Sequence, residues 1–140
     1  MKIIILEGDK NKGKTTTMGV VFVALHMKGC TVKTFIPVPS PSGMDFEAVL
    51  DYPNPDGDEK SNLKVAMYSK GDNIADCNDA INRYSQQNTD VLIIAYSAKK
   101  TRFTIPAKDT HVCVQKTVVP PSVSEVKSNA KDSKKIISKI

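Results

Sequence analysis

Lys14 and Thr15, directly behind a glycine and ahead of an apolar stretch, are the residues of this chain best suited to chemistry. Residues 8–15 read Gly-Asp-Lys-Asn-Lys-Gly-Lys-Thr, matching G-x-x-x-x-G-K-[ST] at every specified position. In such a loop successive backbone N–H groups point inward and make a concave anion site, reinforced by the N-terminus of a following helix. Gly8 and Gly13 let the backbone turn and approach phosphate oxygens without a Cβ in the way. The expected cradle is Gly8, Asp9, Lys10, Asn11, Lys12, Gly13, Lys14, Thr15 and Thr16. Lys14 would reach the β- and γ-phosphates of a nucleoside triphosphate, and the Thr15 hydroxyl would take a site on Mg²⁺.

A loop of this kind also needs a carboxylate near the metal, just after a neighbouring strand. Asp72 follows the strand-like residues 63–68 and is the expected metal partner, with Asp9 in reserve. Residues 91–95 form a second buried run but lead into Tyr96 and Ser97, without an acid. Beyond it Lys99, Lys100 and Arg102 make a cationic cluster able to stabilise charge that develops in phosphoryl transfer. The expected catalytic set is therefore Lys14, Asp72 and Arg102, with Thr15 and Asp72 on the metal.

These residues need strand ends and helix starts to hold them. Ile3 to Leu6 form a short continuous apolar run, as in a strand buried on both faces. A helix over residues 14–28 is apolar nearly all round, which predicts burial between a sheet and other elements. Gly29 stops it. Strands follow at residues 31–36, 63–68, 90–95 and near 111–114. Residues 46–52 alternate Phe, Ala, Leu and Tyr against Glu, Val and Asp, the pattern of a half-exposed antiparallel strand. Ile74, Cys77, Ile81 and Tyr84 form a helical stripe, capped by Asp72 or Asn73. Ser122 and Glu125 fit a capping box for a last helix over 123–138, with Val126, Ala130, Ile137 and Ile140 on one face.

Strands and helices alternating at this spacing give a three-layer α/β fold. Its sheet is expected to be mostly parallel, with five to six strands and one of them antiparallel. Ligands bind at the carboxyl edge of such a sheet, where the loop at 8–15, residues 69–73 and residues 96–102 converge.

The 140 residues suit one domain, with residues 37–62 as a Pro-rich, acidic insertion and 122–140 as a basic terminal helix. Hydrophobic residues are 40% and charged residues 25% of the chain, a globular balance. No apolar run reaches the ~20 residues of a membrane span, and the start lacks a signal-peptide pattern, so the expected compartment is the cytoplasm. Cys30, Cys77 and Cys113 have no C-x-x-C spacing and read as buried thiols. The net charge is +5, and five lysines in residues 125–140 face only Glu125 and Asp132. That tail suits either a solvated helix face or phosphate contacts with nucleic acid. The pattern leaves self-association open.

The stretch from Lys2 to Thr16 resembles P-loop NTPases. Leu6-Glu7-Gly8 with Gly13-Lys14-Thr15-Thr16 is similar to the start of thymidylate kinases and related nucleotide kinases. Gly13-Lys14-Thr15-Thr16-Thr17, then Ala24-Leu25, Gly29 and Val32, resembles the plasmid-partition, deviant Walker A ATPases, although Asp9 stands where those carry a second lysine. These resemblances imply binding of ATP or GTP with Mg²⁺, followed by hydrolysis or phosphoryl transfer. The alternative is a nucleotide-dependent binding module with little catalysis.

Overall fold

The structure is a computed structural model and describes residues 1–10, 12–54, 61–97, 103–120 and 124–140. Its elements run β1 (Lys2–Gly8), α1 (Lys14–Met27), β2 (Thr31–Pro37), β3 (Phe46–Tyr52), β4 (Leu63–Tyr68), α2 (Ile74–Gln86), β5 (Val91–Ser97), β6 (Thr110–Gln115) and α3 (Glu125–Ile137). The six strands form one sheet in the order β2-β3-β4-β5-β1-β6.

β1 pairs in parallel with β5 and β6, and β4 pairs in parallel with β5. β3 is antiparallel to both of its neighbours, so it alone runs against the other five. That is the antiparallel strand which the alternation at 46–52 indicates: Phe46, Ala48 and Leu50 are buried, and the intervening residues are half-buried. β3 lies inside the sheet, so the stretch read as an insertion contributes a structural strand. β5 is buried at every position, as its unbroken apolar run requires of a central strand.

Helices cover both faces. Ile4, Leu6, Val65, Met67 and Ile93 pack on one side with Met18, Val21 and Leu25 of α1 and Ile136 of α3. Ile3, Ile5, Leu92 and Ile94 face the other side, against Cys77, Ala80, Ile81 and Tyr84 of α2. Alternate residues of β1 and β5 thus feed two cores, which makes three layers.

Several expectations are corrected. α1 is not enclosed all round: Val23 and Met27 are 55% and 82% exposed, because α3 packs along one flank only. Cys113 is exposed, because β6 is an edge strand, while Cys30 and Cys77 are buried. α3 is capped by Ser124, whose side chain accepts from Val126 N; Ser122 and Val123 lie outside the described residues. Its buried face is Ser128, Asn129, Asp132, Ser133 and Ile136, whereas Val126 and Ala130 are exposed. Of the expected face, Ile137 and Ile140 are partly buried against the core, but Val126 and Ala130 are not, because the first turns of α3 make polar contacts instead. Thr17 Oγ1 donates to Asn129 Oδ1 at 3.0 Å, and Thr117 donates to Asp132 through N (2.8 Å) and Oγ1 (2.6 Å). Lys116 Nζ lies 3.3 Å from Asp132 with both side chains buried. Buried polar groups that find partners in this way fix the seating of the helix.

Candidate functional site

The carboxyl ends of β1, β4, β5 and β6 share one edge of the sheet. The reversed strand β3 starts at that same edge. There a cleft of about 420 Å³ lies between Lys10 and residues 12–16 on one side, Pro41, Ser42, Met44 and Asp45 on another, and Ser69, Gly71 and Asp72 on a third.

The 8–15 loop leaves β1 and enters α1 through Gly13, which sits at φ 76°, a left-handed conformation that suits glycine. Gly13, at the N-cap of α1, has no side chain to cap it, the first turn holds no acidic residue, and residues 13–16 of this helix start line the cleft. Lys14 is buried, and its Nζ donates to the carbonyl of Asp9, folding the ammonium back across the loop. Burial lowers the Lys14 pKa from the usual lysine value, while the charges of Asp72, Asp9 and Asp45 oppose that shift. Thr16, Lys10 and Lys12 also line the cleft; Lys116 packs against Gly8 from behind.

The carboxylate that touches Thr15 is Asp45, not Asp72. Thr15 Oγ1 donates to Asp45 Oδ1 at 2.9 Å. Asp45 closes the β2–β3 hairpin, where Val38 N donates to its carbonyl at 2.8 Å. Asp72 lines the same cleft and accepts from Ser97 Oγ at 2.8 Å. It does not cap α2; that role falls to Asn73, whose side chain accepts from Ala75 N. Gly71 holds the turn in place. Its carbonyl accepts from Ser97 N at 2.9 Å, and a Cβ there would stand 2.1 Å from the Ala95 carbonyl oxygen. Only glycine lets residues 69–72 press so closely on β5.

Of the expected residues, Gly13, Lys14, Thr15, Thr16, Lys10, Lys12 and Asp72 meet at the cleft; Gly8 and Asp9 do not line it, although the Asp9 carbonyl accepts from Lys14 Nζ. Asn11 and Arg102, with Lys99 and Lys100, lie outside the described residues. Asp45 and Ser69 are additions. A signal for Asp45 was present: an acid immediately before an antiparallel strand must sit where the parallel strands end.

Thr15 and Asp45 together offer a hydroxyl and a carboxylate, hard oxygen donors of the kind that hold Mg²⁺ when phosphate oxygens and water complete its shell. Among the described residues no group of three or more His, Cys, Asp and Glu forms an all-protein metal cage. Nor is any helix among them long and apolar enough to cross a membrane. No protein-family model matches the sequence, and comparisons with curated proteins and with solved structures return no match.

Proposed function

We propose that this chain is a nucleotide-binding protein of the P-loop class. Within that class, the reading the site supports best is Mg²⁺-dependent binding of ATP or GTP, with hydrolysis or transfer of the γ-phosphoryl group. The observation that carries it is the buried Lys14 at an uncapped helix start, next to a Thr15 hydroxyl engaged by Asp45. Loop N–H groups and Lys14 would bind the phosphates, and Thr15 and Asp45 would hold Mg²⁺. When bound, the ion supplies charge neutralisation at the transferring phosphoryl group. Lys14 would offset negative charge on the same oxygens, and the Asp72 charge opposes the fall in its pKa that burial causes.

The experiment is to incubate the protein with labelled ATP or GTP, alone and with candidate acceptors, and follow the label. Release to water makes it a hydrolase, and transfer to an acceptor makes it a kinase. Lys14→Ala should abolish nucleotide binding while leaving the circular dichroism spectrum unchanged. Unaltered affinity in that folded variant would sink the reading.

A second reading, a nucleotide-dependent nucleic-acid-binding module, rests on α3 and the residues after it. Lys127, Lys131, Lys134, Lys135 and Lys139 are all exposed. Including DNA at low and high salt in the same assay separates the two. DNA retention that falls steeply with salt, without phosphate release, favours the second.

A further inference from the structure

β4 and β5 are neighbouring parallel strands, and a buried serine stands at the carboxyl end of each: Ser69 directly after β4, and Ser97 as the last residue of β5. Neither strand ends in an acid. Each serine instead holds a carboxylate supplied by another segment. Ser97 Oγ donates to Asp72 Oδ1 at 2.8 Å, and Ser69 Oγ donates to Asp45 Oδ1 at 3.1 Å.

The Ser69 arrangement is the more constrained. Its hydroxyl accepts from Phe46 N at 2.8 Å, and its own N–H donates to the Phe46 carbonyl at 3.0 Å. A hydroxyl has one proton to give, and accepting from Phe46 N–H orients that proton away from the strand. It falls on the same Asp45 oxygen that accepts from Thr15 Oγ1. Two hydroxyls, one from α1 and one from the end of β4, thus converge on Asp45 Oδ1. The Asp45 carboxylate is held through one oxygen by two elements of the core fold, although its backbone belongs to the β2–β3 hairpin.

We infer that Ser69 is a positioning residue, which orients Asp45 toward Thr15 and so sets the cation-holding geometry of the cleft. The inference rests on the nucleotide reading for its functional consequence, but the orientation itself is a property of the protein alone. Groups that orient a metal-holding carboxylate cost about 10–100-fold in metal affinity when removed.

The test uses the full chain and its Ser69→Ala, Ser69→Thr and Asp45→Asn variants. Binding of a fluorescent ATP analogue is titrated with Mg²⁺, and the Asp45 χ1 rotamer is read from three-bond NMR couplings without nucleotide. Ser69→Ala should raise the Mg²⁺ midpoint about tenfold and average the Asp45 rotamer. Ser69→Thr keeps the hydroxyl and should restore both. Ser69→Ala combined with Asp45→Asn should bind Mg²⁺ no more weakly than Asp45→Asn alone, as residues acting through one another do. A single Asp45 rotamer in folded Ser69→Ala, or fully additive losses, would overturn the inference. If the wild-type chain binds no nucleotide but the couplings still average in Ser69→Ala, the nucleotide reading fails and the positioning role of Ser69 stands.

Discussion

At the scale of single residues, the cleft divides its acids between two tasks. Asp45 touches the Thr15 hydroxyl, whereas Asp72 heads the carboxylates that oppose the fall in the Lys14 pKa. Their conservative variants should therefore fail differently. Asp45→Asn should weaken Mg²⁺-dependent nucleotide binding about tenfold or more. Asp72→Asn should leave the Mg²⁺ midpoint in place and act through Lys14. The sign follows from the charges. Burial already lowers the Lys14 pKa and Asp72 raises it, so removing Asp72 lowers it further. Anion binding needs the protonated amine and is lost as pH rises through that pKa. Its alkaline limit should move to lower pH in Asp72→Asn, as measured by nucleotide affinity across the alkaline range. A shifted Mg²⁺ midpoint with an unmoved alkaline limit would reverse the two assignments.

At the scale of elements, α3 is held by a polar latch. Burial by itself would raise the Asp132 pKa, but hydrogen bonds from the Thr117 side chain and backbone and from Lys116, with the Lys116 charge, outweigh it and leave the carboxyl below its usual value. A depressed folded pKa contributes stability above the unfolded value of ~3.9 and loses it as pH falls through the folded value. Asp132→Asn should thus cost roughly 3–5 kcal/mol near neutral pH, since it leaves the buried Lys116 ammonium uncompensated. The variant should also lose less stability on acidification from pH 5 to 3 than the parent does. Urea unfolding at several pH values reads both. Parallel acid profiles for the two proteins would show that the latch carries no linked proton. The same element contacts the loop: Glu125 Oε2 would lie 3.0 Å from a Cβ on Gly13. A loosened α3 is expected to disturb the cleft as well as the core.

At the scale of the whole molecule, three layers leave one sheet edge where β1, β4, β5 and the reversed β3 meet. A ligand seated there touches segments far apart in the chain and should stabilise the fold as a unit. With ATP and Mg²⁺ at about 100 times the dissociation constant, mass action adds ~2.7 kcal/mol. For a domain of this size that raises the Tm by roughly 10 °C. Lys14→Ala should show no such rise in differential scanning calorimetry. A rise of equal size in the variant would mean that the ligand binds away from the loop.

The fold was largely legible in the amino-acid order. Apolar runs at 3–6 and 91–95 marked the two-sided burial of β1 and β5, the alternation at 46–52 marked the one reversed strand, and the Ile74 to Tyr84 stripe marked α2. These are local periodicities, set by how often a side chain returns to the same face. The start of α1 directly behind Gly13 was legible too, because the residues that shape it are contiguous. Three things waited on the tertiary structure. Asp45 reaches Thr15 across 30 positions, which depends on the path of the β2–β3 hairpin. The buried face of α3 is polar over Ser128, Asn129, Asp132 and Ser133, so hydrophobic spacing marked only its C-terminal end; the polar partners Thr17, Lys116 and Thr117 come from α1 and the segment after β6. The open flank of α1 follows from α3 packing to one side only, although the helix sequence is apolar nearly all round. Periodicity fixes which side chains share a face; what lies opposite that face is settled by chain segments that meet only when the sheet assembles.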